Sequence, residues 1–305
     1  MPIPASPAST STTTCAQWIE EVREHLDGPR SDEANTLASP YTAGGTSLAF
    51  TYELGNIAPG AVLSVGLSTF RVVSVNAAAK TAAVIPGYQG STDADQASGA
   101  LVRVNPPFTD HRILRAINRH LGALSSPSVG LYRVLSENVS FTPAVQGYEL
   151  SDDEILRVLE VRRESYGPEV GWPRVRASEW DLLRAADTTD FPSGVAIRLR
   201  EGNSGRDVQV VYAAPYDYLD SLTALVSTTG ISREAEDIPP LGAAIRLMSG
   251  REVSRNRTGS QGDTRRANEV PPGAVAASYR GLVALWAQRV QEEAARLRSR
   301  FPVGK

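Results

Sequence analysis

The chain has 305 residues, 41% of them hydrophobic, and a formal net charge of −3. That length allows one large domain or two ordinary ones with sizeable cores, and the slight acidity argues against a surface covered with nucleic-acid-binding groups, though not against a local patch. A single cysteine, Cys15, excludes an intrachain disulfide, and no apolar run approaches the roughly 18 residues of a membrane span.

The basic residues are 29 Arg against 2 Lys, Lys80 and Lys305. Arginine suits fixed, bidentate contacts to carboxylates and phosphates, while the abundance of Ala, Gly and Pro beside it fits a GC-rich coding sequence. The stretch MPIPASPASTSTTT has neither a basic start nor an apolar centre, so no secretory signal is expected and the protein is expected to be made in a cytoplasm.

Residues 1–13 are mostly Pro, Ser and Thr and predict a mobile tail. A short helix follows, capped by Thr13 or Thr14, with Trp18, Ile19, Val22 and Leu26 at helical spacing and Gly28-Pro29 as its stop. From 46 to 105 the pattern changes to five short strands, SLAFTYEL, AVLSV, FRVVSV, TAAVI and GALVRV, separated by turn-forming segments. Five strands in so short a span predict a small barrel or rolled sheet. After Pro106-Pro107, TDHRILRAINRHLGAL predicts a helix with Thr109 as N-cap and Ile113, Ile117, Leu121 and Leu124 on one face.

Residues 129–213 alternate again and predict a second β domain, a sandwich, with EGNSGR at 201–206 as a hairpin turn. Beyond Pro215 the pattern is helical: YDYLDSLTALVSTTG ending at Gly230, then IPPLGAAIRLMSGREV opened by Pro239-Pro240, a polar segment, and a terminal helix of about 28 residues. The terminal helix carries Val275, Tyr279, Leu282, Trp286, Val290 and Leu297 as one stripe, with Gln288, Glu292, Arg296 and Arg300 opposite. The predicted class is α+β: a tail at 1–13, an N-terminal helix with a barrel-like module and helix over 14–125, a sandwich-like domain over 126–215, and a helical region over 216–305.

Catalytic signatures are sparse. His111 and His120 lie nine apart on one helix, which turns them to opposite sides, and His25 ends the first helix beside its carbonyls. No HExxH, CxxC, GxSxG or P-loop motif occurs, so neither a cofactor nor a histidine-ligated metal is expected. Cys15 opens a helix, a position that can lower a thiol pKa, but has no histidine near in sequence. The acidic run Asp152-Asp153-Glu154 is the kind that usually faces water.

Two stretches stand out. VIPGYQGSTDADQASGALVRVN resembles a phosphate cradle or metal loop, yet it leads into a strand rather than a helix and lacks the glycine and glutamate of a calcium loop. It is better taken as an assembly loop, with Tyr88, Gln89, Ser91, Thr92, Asp93 and Asp95 as contact residues. Residues 246–266 hold Arg246, Arg251, Arg255, Arg257, Arg265 and Arg266 against Glu252 and Asp263, a local excess of four positive charges. Such a patch fits a phosphate backbone or an acidic protein partner.

TYELGNIAPGAVLSVGLSTFRVVSV, the GYQGSTDADQASGALVRVNPPF block, IPPLGAAIRLMSGREV with RRANEVPPGA, and the long terminal helix together resemble head-to-tail connector or adaptor proteins of long-tailed phages that infect actinobacteria, over residues 15–302. The resemblance is one of overall pattern. It implies a non-enzymatic virion neck protein that forms a ring, commonly of twelve copies, on the portal and continues the DNA channel toward the tail. The implied partners are further copies of the chain, the portal protein, a downstream neck or tail protein, and DNA passing through, with no membrane. The ring contacts would be heterologous. A tail-completion or minor tail protein is the alternative within the virion, and a β-domain hydrolase using an acid pair among Asp93, Asp95, Asp152 and Asp153 is the enzymatic one.

Overall fold

The computed structural model of the protein describes residues 11–27, 33–140, 147–164, 172–199, 207–259 and 274–301. It is an α+β structure with three substantial cores: a curled sheet, a two-sheet sandwich and a helical hub between them.

The hub begins with α1 (Cys15–Asp27). Thr14 and Gln17 form a reciprocal cap, the Thr14 amide donating to Gln17 Oε1 at 2.8 Å and the Gln17 amide to Thr14 Oγ1 at 3.4 Å. Residues 11–13 depart from the expected tail. Ser11 is buried, the Thr13 hydroxyl donates to Glu236, and the Thr13 carbonyl accepts from the Val226 amide at 2.8 Å. Residues 1–10 and Gly28-Pro29 lie outside the described residues.

The curled sheet holds β1 (Ala34–Thr36), β2 (Ser47–Ala49), β3 (Val62–Val65), β4 (Ser68–Asn76), β5 (Thr81–Ile85) and β6 (Leu101–Val104), in the order β1-β6-β3-β4-β5-β2 with the paired strands antiparallel. A bridge between Leu37 and Phe50 draws its two edges together, the Ala38 amide donating to Ala49 O and the Thr51 amide to Thr36 O, each at 2.9 Å. Joining the edges in this way removes the open edge that would otherwise pair with other chains. All five expected strands form. The sixth, β1, is three residues with one buried side chain, too short to show alternation.

Next comes α2 (Asp110–Leu124), where Thr109 Oγ1 accepts from the Arg112 amide at 3.4 Å as the expected cap. The sandwich follows, with β7 (Arg133–Val139), β8 (Gly147–Glu149), β9 (Arg157–Arg163), β10 (Trp180–Arg184), β11 (Val195–Leu199) and β12 (Val208–Ala214). They form two sheets, β10-β11-β8 and β7-β12-β9, sharing a core of Tyr148, Ile155, Val161, Ile197, Val210 and Tyr212 among others. Residues 201–206 lie outside the described residues, but the strands on either side do not pair with each other: β11 and β12 belong to different sheets. β11 and β12 are therefore not paired as the expected hairpin would require. β12 is buried along its whole length, because Val211 and Ala213 on its second face pack with Phe301 and Leu297 at the end of the last helix.

The segment 216–229 is not an α-helix. It is an irregular strap with one 3-10 turn at Val226–Thr229, closed by Gly230 in the left-handed conformation (φ 78°). Asp, Ser and Thr are frequent in it, and their side chains compete with helical backbone bonds. The strap is instead held by α1 and α2: Cys15 and Ala16 amides donate to Ala224 and Leu222 carbonyls, and the Asn118 side chain bonds both Leu219 O (2.7 Å) and Leu219 N (3.0 Å).

α3 (Ile238–Gly259) starts at the two prolines as expected and runs on into the start of the polar segment as far as Gly259, the rest of that segment lying outside the described residues. α4 (Ala274–Arg300) is the long terminal helix. Helices from both ends of the sequence share the hub core, in which Trp18 and Val22 of α1, Ile113 and Leu121 of α2, Ala243 of α3 and Val290 of α4 are all buried.

Candidate functional site

The glycine-rich stretch at 84–105 ties several of its polar side chains back to the chain. Gly87 and Gln89 take left-handed backbone angles (φ 66° and 60°), making a tight turn at Tyr88–Gly90. Ser91 is buried and its hydroxyl accepts from the Thr69 amide at 2.9 Å, while the Ser68 hydroxyl donates to Thr92 O at 3.1 Å. Asp93 accepts from the Gly44 amide at 2.6 Å and from the Tyr41 hydroxyl at 3.0 Å, and Asp95 accepts from the Ala43 amide at 2.8 Å. Burial and the Asp93 carboxylate push the Tyr41 phenol up to about 12. Ser91, Asp93 and Asp95 therefore hold the loop and the 41–45 turn to the sheet, while the exposed Asp95 carboxylate also borders an open groove. Of the expected contact residues, Tyr88 lies under the Arg71 guanidinium at 5.7 Å, and Gln89 and the Thr92 side chain are exposed.

α2 separates two environments. Its inner face buries Ile113, Leu114, Ala116, Ile117, His120, Leu121 and Leu124. His120 Nε2 accepts from Trp286 Nε1 of α4 at 2.9 Å, with the two rings edge to face at 5.5 Å. Burial first, and then the Arg246 charge, lower its pKa to about 4. A neutral imidazole protonated on Nδ1 is the form this bond requires. On α3, Gly242 leaves room for the ring: a β-carbon there would stand 2.0 Å from His120 Nε2. His120 is thus the pin of a three-helix junction.

The outer face carries His111, Arg112, Arg115 and Arg119, the three arginines exposed at i, i+3 and i+7. With Gln89 from the loop, Ala116, and Arg246 and Leu247 from α3, they line a depression of about 500 Å³ with no carboxylate among its described lining residues. Arg112 also lies 4.9 Å from the Phe108 ring. Among the described residues Arg115 and Arg119 make no ion pair. On the other side of the same row is a larger open groove of about 710 Å³, bounded by His111, Arg115 and Arg119, by Ser68 and Asp95 of the curled sheet, and by Tyr218, Asp220 and Ser221 of the strap. Burial and the Arg115 charge lower the pKa of His111 as well.

The arginine-rich segment is only partly described. Arg246 is exposed on α3 in the depression, Arg251, Arg255 and Arg257 fall on the last turns of α3 where the main chain alone is described, and Arg265 and Arg266 lie outside the described residues. Reading by charge density found Arg246 but missed Arg112, Arg115 and Arg119, whose signal is helical spacing of like charges.

The remaining titratable candidates are tied up. Cys15 is buried, and burial with Asp110 and Asp220 pushes its thiol up to about 12, the opposite of activation. Asp152 accepts from the Glu154 amide at 2.9 Å and stands 3.8 Å from Arg133. Asp110 pairs with Arg23 of α1, and Arg103 of β6 pairs with Glu20, so these ions join the sheet to the hub. Among the described residues no group of three or more His, Cys, Asp or Glu is placed to hold a metal ion, and no helix is long and apolar enough to cross a membrane.

No protein-family model matches the chain, and no curated protein matches it.

Proposed function

We propose that this chain is a structural subunit of a phage neck, a head-to-tail connector that assembles as a ring on the portal, acts in the virion after synthesis in the host cytoplasm, and performs no catalysis. The observation that carries this reading is the α3–α4 pair. Trp286 lies against His120, which lies against Gly242, and Arg289 binds Asp237 at 2.7 Å, so the two helices run antiparallel. From that junction α3 continues to Gly259, about 25 Å, and α4 begins about 18 Å away at Ala274. Between 278 and 289 no residue of α4 is buried, and Leu285 is 45% exposed. A helix of this length gains its stability from packing rather than propensity, and a face with exposed Leu285 and partly buried Leu282 and Val283 is suited to a neighbouring subunit or the portal.

The chemistry elsewhere supports the same reading. Cys15, Tyr41, His120, Tyr212 and Tyr216, whose pKa values are strongly shifted, owe the shift first to burial, and none of them lines either groove beside α2. The arginine segment that begins at Arg246 is the proposed contact to the portal or to passing DNA. Negative-stain images of the purified chain, alone and mixed with portal rings, test the proposal: rings, or decoration of portal, are expected. Co-purification with isolated tails and absence from tail-less heads would instead indicate a tail-completion or minor tail protein.

A further inference from the structure

We propose that the outer face of α2, with Arg246 of α3, is a binding groove for the phosphodiester backbone of a nucleic acid. This extends the DNA contact of the neck reading to a defined groove on α2, and it is argued from the groove's lining and would stand without a ring or a portal. Arg112, Arg115 and Arg119 stand in a row on one side of a single helix, spanning about 10 Å, with Arg246 facing them across the depression and His111 at its edge. The protein as a whole is acidic, at −3, yet among the described residues this depression of about 500 Å³ is lined by four guanidinium groups and no carboxylate.

The lining also says which polyanion fits. Protein interfaces are organised around a desolvated apolar centre with aromatic anchors. Among the described residues the apolar contribution is Ala116 and Leu247 alone, and His111 is the one aromatic ring in the lining, with no Phe, Tyr or Trp. Protein–nucleic acid interfaces are more polar and far more positively charged, and their arginines mostly position the phosphate backbone without reading sequence. The opposite flank of the row, where Asp95 and Asp220 stand, limits the cationic surface to the α2–α3 side. With guanidinium groups outnumbering the single imidazole among the described lining residues, contact with a backbone rather than with unstacked bases is the expected mode.

The full-length protein is titrated into a fluorescein-labelled random duplex of about 30 base pairs, and anisotropy is followed from about 50 to 200 mM salt. Wild type is expected to bind at low salt with a steep salt dependence. The R112A/R115A/R119A variant is expected to lose at least about tenfold in affinity and to reduce the log–log salt slope by about 2 to 3, near 0.9 per lost phosphate contact. Circular dichroism and the melting temperature report the fold of the variant, and single R115Q and R119Q substitutions repeat the test with smaller changes of slope. No duplex binding at low salt, or a salt slope unchanged in the triple variant, overturns the proposal. So does a polyglutamate peptide that binds the groove while the duplex does not, which would mark it as a site for an acidic protein. Ring formation, scored separately, leaves this result unaffected in either direction.

Discussion

The two faces of α2 show how one helix can serve stability on one side and contact on the other. His120 and His111 are nine residues apart and face apart. His120 is held neutral between α3 and α4, accepting from Trp286 in a space that Gly242 leaves open. His111 borders two open grooves beside exposed arginines. Inner positions are fixed by volume and hydrogen bonding, so substitutions there are felt as stability. Outer positions are solvated, so substitutions there are felt only when something binds.

The comparison breaks if the inner face tolerates bulk. Gly242→Leu should cost about 3 kcal/mol or more, since even a β-carbon meets the His120 ring, and urea unfolding would show it. A comparable effect comes from pH. The folded-state pKa of His120 is lowered from 6.5 to about 4, so the unfolded chain takes up its proton first. The stabilisation is complete above pH 6.5 and drains away as the pH falls toward 4, roughly 3 kcal/mol in total. The His120→Gln variant should lack that component when its unfolding free energies are compared with wild type across the same range, whereas His111→Gln should keep most of it. Equal pH profiles for all three proteins would remove the distinction between the faces. Trp286→Phe leaves His120 Nε2 unpaired in the hub and should lower stability by about 2 kcal/mol. At the small end, Arg115→Ala and Arg119→Ala should change the unfolding free energy by less than about 0.5 kcal/mol, and a larger loss would mean that these arginines act within the fold.

Much of this architecture was readable before any coordinates. The helix start at Thr13 or Thr14, the Thr109 cap with its apolar row, and the five alternating strands of the curled sheet are local signals, and the structure follows them, with Gln17 completing the Thr14 cap. Elements that depend on distant partners were not readable. β1 and β8 are three residues each and exist because β6 and β11 pair with them. The pattern around 201–206 is that of a hairpin, yet whether two strands share a sheet is decided by the packing of the whole sandwich. The strap at 216–229 has apolar residues at helical spacing, but backbone bonds to α1 and side-chain bonds from Asn118 hold it in another conformation.

The site divides in the same way. Asp93 and Asp95 looked like loop decoration available to a neighbour, and they are occupied by the 41–45 turn. Arg246 stood out within a dense basic segment. Arg112, Arg115 and Arg119 did not, because apolar residues of the inner face separate them in the linear sequence and only the helical turn gathers them.

The central claim is that the exposed surfaces of this protein serve assembly. Sedimentation velocity of the full chain, alone and with purified portal rings, tests it most directly, with Leu285→Glu as the variant. The account predicts a ring-sized species or co-sedimentation with portal, lost in Leu285→Glu without loss of the monomer's melting temperature. A chain that stays monomeric at every concentration and never sediments with portal would contradict it.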